Sequence, residues 1–194
     1  GGAPGKQLQE LRPHLLARIV ADLTGGEDLP ARIAGRAAAQ LHDRLQSSGG
    51  LLDDLVRSGC ASLRSAESTS QRSLFVGLAE VLRIESCGRH LHERDCGLAD
   101  ALRNALLSQE SAVRAAAASC VAAAPPAFVA EPLILELCES DDDLDDDQVR
   151  CLEEILRADT QGTILRAVIA HAATPPSSAA RAQCLAAASA APCS

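Results

Sequence analysis

The sequence predicts an all-α fold, a row of antiparallel helical hairpins stacked one on the next, and three observations predict it. Of 194 residues, 47% are hydrophobic and 23% charged, a balance that supports a sizeable buried core. The apolar content is mostly Ala and Leu, with Phe75 and Phe128 the only aromatics and no Met. Ala and Leu favour helices and let them pack closely, whereas the β-branched and aromatic residues that build sheets are scarce. Apolar residues then recur at three- and four-residue steps, in segments separated by short polar or glycine-bearing breaks.

Leu8, Leu11, Leu15, Leu16, Ile19, Val20 and Leu23 share one helix face, which Gly25-Gly26 stops. The next helix is expected after Pro30, through Ile33, Ala34, Ala37, Ala38, Leu41 and Leu45, to the break at Gly49-Gly50. A second pair joins Leu51, Leu52, Leu55, Val56 and Leu63 to Leu74, Phe75, Leu78, Ala79, Val81 and Leu82 across a polar loop at 65–69. A third runs from about His90 to Leu107 and from Ser111 to Ala124, turning at Ser108-Gln109-Glu110. A fourth pairs Ala127–Cys138 with Gln148–Leu156, and a fifth pairs Gly162–His171 with Ser177–Ala190.

The second helices open alike, on Arg32, Arg72, Arg114 and Arg150, at spacings of 40, 42 and 36 residues. That period is the one expected of HEAT or armadillo units. One hairpin cannot bury its oily side alone, so neighbours must pile up and leave an extended surface. The whole of 1–194 therefore reads as a single HEAT/armadillo-like superhelical stack of about five repeats, near 8–46, 51–85, 90–124, 127–158 and 162–190. The competing architecture is an irregular helical bundle with coincidental spacing. The glycine-rich start and the segment after Pro192 read as cut edges or frayed ends.

Charge narrows the function. Residues 1–100 carry 13 acids against 12 bases, while 101–194 carry 13 against 6, giving the net of -8. No basic stripe of the kind a free nucleic-acid binder shows is present. No N-terminal basic segment leads into an uninterrupted apolar one, so no signal peptide is visible, and the Ala115–Ala130 run, mostly Ala and broken by Pro125 and Pro126, is too short and too mildly apolar to span a membrane. The expectation is a cytosolic protein. The eight cysteines form no Cys-x-x-Cys pair and read mainly as buried small apolar side chains in a reducing compartment.

Three features of the sequence bear on chemistry. In His90-Leu91-His92-Glu93-Arg94-Asp95-Cys96, His92 and Cys96 share a helix face but His90 lies about 200° from His92. Two ligands fall short of a zinc site, so these read as polar residues at a helix start. No phosphate-cradling glycine loop is present and no nucleophile has a base beside it, so no enzyme and no cofactor is expected. The run Asp141, Asp142, Asp143, Leu144, Asp145, Asp146, Asp147 lacks the Gly and Glu of an EF-hand calcium loop. Its readings are a solvated loop whose last acids serve the next helix start, a surface for a basic protein partner, or a calcium site.

Gln71-Arg72-Ser73-Leu74-Phe75-Val76-Gly77-Leu78-Ala79-Glu80-Val81-Leu82 resembles a helix of the giant HEAT-repeat translational activator family of the general amino-acid-control pathway. Leu98–Leu106 and Glu110–Ala117 are similar to that family's next hairpin, and Ser73 stands where its motif has glycine. The resemblance implies a non-catalytic, ribosome-associated scaffold that helps couple stalled or collided ribosomes to the kinase acting on the alpha subunit of initiation factor two. It implies protein partners and a ribosomal protein or RNA surface, with no membrane and no small-molecule substrate. The candidate partner-binding residues are Arg72, Arg83, Arg114 and Arg150 together with Asp141, Asp142, Asp143, Asp145, Asp146 and Asp147. The alternative is a HEAT-repeat protein-binding adaptor of another pathway.

Overall fold

The all-α expectation holds, for the described residues of the computed structural model form eleven helices and no strand. Those residues are 4–44 (backbone alone as far as 10), 50–63, 66–92, 96–139, 143–173 and 178–191. The chain forms two compact units, Gly1–Leu98 and Ala99–Ser194.

In the first unit, α1 spans Pro4–Thr24, α2 Asp28–Arg44, α3 Leu51–Ser62, α4 Ser68–Leu82 and α5 Glu85–His92. α1 ends where the glycine pair was expected to stop it. α2 starts two residues before Pro30, not after it, because a first-turn N–H has no intrahelical partner and proline loses nothing there. Only the C-terminal half of the α1 face is deeply buried: Ile19 and Leu23 are, whereas Leu11 is exposed.

The closest packing in this unit joins α2 to α4, two apart in the chain, while α1 packs on both α2 and α3. The buried face of α2 is made of small residues, Ala31, Ala34, Gly35, Ala38 and Ala39. Opposite it Gly77 of α4 is buried between Leu74 and Leu78. At the crossing a Cβ on Gly35 would lie 2.1 Å from the Gly77 carbonyl oxygen, and one on Gly77 would lie 2.7 Å from the Ala31 oxygen. Only glycine lets the two backbones meet at that distance. Around the crossing, Leu23, Leu52, Leu55, Leu74, Phe75 and Leu78 are fully buried.

Polar contacts fix the register of the same helices. The Ser73 hydroxyl, wholly buried, donates to the Leu23 carbonyl at 2.8 Å and accepts from the Gly26 amide at 3.1 Å. It thus satisfies backbone groups that the end of α1 leaves unpaired. Arg12 donates to Asp54 at 2.6 Å, joining α1 to α3.

The continuous helix expected from about His90 to Leu107 is instead two. α5 ends at His92, α6 starts at Leu98, and Gly97 between them sits at φ 75°, outside the helical region. Sequence periodicity missed the break because Leu91, Cys96, Leu98 and Leu102 are all buried on either side of it.

α6 spans Leu98–Leu106, its first residue the last of the first unit, and the second unit continues with α7 Ser111–Ala123, α8 Ala130–Cys138, α9 Asp146–Ala158, α10 Thr163–Ala172 and α11 Ala179–Ala190. α8 begins three residues later than expected, since Pro125 and Pro126 hold turns in which Phe128 and Glu131 donate to their carbonyls at 2.9 Å each. Here too helices two apart lie against each other: α7 on α9, α9 on α11, and α8 on α10. Asp145 caps α9 as the sequence predicts: its carboxylate accepts from the Gln148 amide at 2.7 Å, and the Gln148 side chain accepts from the Asp145 amide at 2.9 Å. Buried Asp159 serves α10 in the same way, accepting from the Thr163 and Leu165 amides at 3.2 and 2.9 Å.

Gly35→Ala is expected to destabilise the chain by about 3 kcal/mol, the upper part of the usual overpacking cost, because the obstructing atom is backbone and cannot rotate away. Urea denaturation followed by circular dichroism measures it, and a loss below about 0.5 kcal/mol would mean that the crossing is looser than described.

Candidate functional site

The solvent side of the α2–α4 crossing concentrates the most unusual electrostatics described. Glu80 interrupts the apolar run of α4 and is only 5% exposed. Its carboxylate accepts from Arg36 Nε at 2.8 Å and Arg32 Nη1 at 3.3 Å, both on α2, and from Arg83 at the end of its own helix. Burial alone would raise the Glu80 carboxyl, but the hydrogen bonds and charges of Arg36 and Arg83 hold it below the usual carboxylate range. The three guanidiniums stay half-exposed, so a buried carboxylate is ringed by cations that reach solvent.

Arg72 and Arg83 belong to this seam. Arg72 reaches Asp28 at the start of α2, Nη2 to Oδ1 2.9 Å, at one end of the crossing, and Arg83 closes on Glu80 at the other. The other candidates lie apart, in the second unit. Arg114 donates from Nη1 to the Ser108 and Gln109 carbonyls at 2.8 and 2.9 Å, closing the turn between α6 and α7. Arg150 pairs with Asp147 one turn earlier on α9 at 3.1 Å. Asp143 is exposed ahead of α9, Asp145 is its cap, and Asp146 and Asp147 occupy its first turn, where carboxylates face the positive end of the helix dipole. Asp141 and Asp142 lie outside the described residues.

Reading the sequence missed Arg32, Arg36 and Glu80 as a group. One signal was available: an acid within the apolar face of α4, and two arginines four residues apart on α2. Their partnership spans 44 and 48 residues, and no local pattern reports a contact of that range.

A second polar group joins α2, α3 and α5. His90 Nε2 lies 2.8 Å from Asp53 Oδ1, and the His42 and His90 rings are tilted with centroids 4.7 Å apart. Burial first, and the neighbouring His90 second, lower the His42 pKa, with Asp53 and Asp43 opposing them. In the His90–Cys96 segment, His90 is thus held by Asp53, Cys96 is buried, and 93–95 lie outside the described residues. Among the described residues no three His, Cys, Asp or Glu side chains converge as a metal ion would require.

Seven cysteines are described, none of them disulfide-bonded, and all are buried except the partly exposed Cys60. Burial pushes the Cys60, Cys151 and Cys184 thiols up to about 12, Cys96 adding to the effect on Cys60 and Cys138 to that on Cys184. At such values the nucleophilic thiolate is scarce near neutrality.

Two outcomes follow from these groups. His42 is lowered in the folded chain, so the unfolded chain takes the proton first and stability falls with pH below the ordinary value of 6.5; Glu80, also lowered, extends the loss below 4.5. The urea midpoint is expected to drop between about pH 7.5 and about pH 5, and His42→Gln to flatten that drop. A midpoint independent of pH in the unsubstituted chain would contradict the burial of His42. In the second, iodoacetamide at neutral pH is expected to label Cys151 and Cys184 far more slowly in the folded chain than in urea, read by mass spectrometry, and equal rates would contradict their burial.

No helix among the described residues is long and apolar enough to cross a membrane. Compared with known proteins, the chain matches no protein family, no curated protein and no solved structure, so its role has to be read from its own residues.

Proposed function

We propose that this chain is a non-catalytic scaffold segment, a HEAT/armadillo-like run of hairpins that works by presenting surface to protein partners. The observation that carries this reading is the packing of helices two apart within each unit, α1 on α3 and α2 on α4, then α7 on α9 on α11 and α8 on α10. Stacked hairpins pack first helix on first and second on second, which is the pattern these pairs follow. The use of buried polar groups agrees. Ser73, Glu80 and Asp159, the buried polar side chains described, are all spent on fastening helices.

The finer proposal is that the scaffold belongs to a cytoplasmic, ribosome-associated translational activator that couples stalled or collided ribosomes to kinase activation. Its support is the likeness of Gln71–Leu82 and of the Leu98–Ala117 segment to that family's helices. The protein carrying this chain is expected to sediment with ribosomes after translational arrest and to leave that fraction when the arrest is relieved. Failure to co-sediment, with a soluble protein partner surviving nuclease treatment instead, would move it to another adaptor pathway while leaving the scaffold reading in place.

A further inference from the structure

We infer that the solvent face of α2, built from Leu29, Arg32, Ile33 and Arg36 with Arg83 of α4 beside it, docks an acidic amphipathic helix of a protein partner. This deepens the scaffold proposal and rests on it.

The first support is apolar. Leu29 and Ile33 are 69% and 61% exposed, more than any other large apolar side chain described. They sit four residues apart, so their side chains stack along one line of the helix. Residues 29, 32, 33 and 36 are linked by three- and four-residue steps, and form one continuous lozenge on the side away from the buried Ala31, Ala34, Ala38 and Ala39. A scattered exposed leucine needs no explanation, but a paired apolar strip bordered by guanidiniums has the make-up of a contact surface.

The second support is charge. Three guanidiniums meet one carboxylate at Glu80, which leaves two positive charges on this patch in a chain whose net charge is -8. Arg36 bonds Glu80 through Nε, and Arg32 and Arg83 through Nη1 alone. A guanidinium carries five N–H donors, and a carboxylate accepts about four bonds, so most of the donors here remain for other acceptors. Because Glu80 fixes the three side chains, their remaining forks are pre-oriented, which lowers the entropy cost of engaging a partner carboxylate.

Together the two features select the occupant. A phosphate backbone would use the guanidiniums but leave Leu29 and Ile33 against a charged chain. A wholly apolar partner would leave the guanidiniums without acceptors. A helix bearing Leu at i and i+4, with Glu on the flanking rows, satisfies both at the spacing that α2 presents.

The test uses the full chain and a labelled synthetic helix of that Leu/Glu pattern, read by fluorescence anisotropy, beside an analogue with every Glu replaced by Gln. Saturable binding is expected that weakens at least tenfold in the Gln analogue. Leu29→Ser with Ile33→Ser is expected to weaken it at least tenfold while leaving the urea midpoint unchanged, since both side chains are exposed. Arg32→Gln tests the charge arm, and is expected to weaken binding several-fold while Glu80 keeps Arg36 and Arg83. Equal binding of the two peptides, no binding, indifference to the Leu29/Ile33 change, or displacement by a single-stranded oligonucleotide would each overturn the proposal, as would concentration-dependent self-association abolished by the Leu29/Ile33 change. Peptide binding and ribosome co-sedimentation are read separately, so loss of the first with retention of the second rejects this face and spares the scaffold.

Discussion

The first unit depends on two helix backbones touching. Where α2 crosses α4, Gly35 and Gly77 present no side chain, and the neighbouring small residues of α2 keep the approach close along its length. Such a face offers little area per residue for the hydrophobic effect, but dispersion gains from it because many backbone atoms reach contact distance at once. Polar contacts on both sides of the crossing then define the register: Asp28 with Arg72 toward one end, and Glu80 with Arg32 and Arg36 toward the other. The larger leucines of α1, α3 and α4 fill the space around that seam. The close approach thus sets where the ion pairs stand, and the ion pairs in turn set how the guanidiniums face solvent.

Burying Glu80 carries a desolvation cost that its arginines must offset, and because they are themselves half-exposed, their attraction is weakened by solvent. A leucine there would fill the volume without that cost. What the carboxylate provides is geometry, since three long side chains that would otherwise sample many rotamers converge on one point. The same economy recurs in the second unit, where Asp159 is buried to bind two amides at the start of α10 and Asp145 does the corresponding work for α9 from the surface.

How much of this was legible depends on the range of each interaction. Helices, and stops such as Gly25-Gly26, follow from local periodicity and from the special backbone of glycine. The Asp145 cap follows from the chemistry of a helix start. Pro30 misled by two residues because the rule that proline sits near a helix start is tolerant of its place in the first turn. The break between α5 and α6 was invisible because the apolar spacing continues across it, whereas Gly97 takes the backbone out of the helical region. The Glu80 seam was illegible for a deeper reason: its partners are brought together by the glycine crossing, so the site can be read only after the packing is known.

The buried hydroxyl of Ser73 ties together two events that a local view would separate. It serves the Leu23 carbonyl in the last turn of α1 and the Gly26 amide just beyond it from a helix some fifty residues away. Unwinding the end of α1 therefore breaks both of these bonds at once, leaving the hydroxyl only the Ser70 carbonyl of its own helix, 3.1 Å away. The Gly26 amide is shielded from solvent for as long as α4 holds the Ser73 hydroxyl against it. The corner joining the first two helices is in this sense kept shut from a distance.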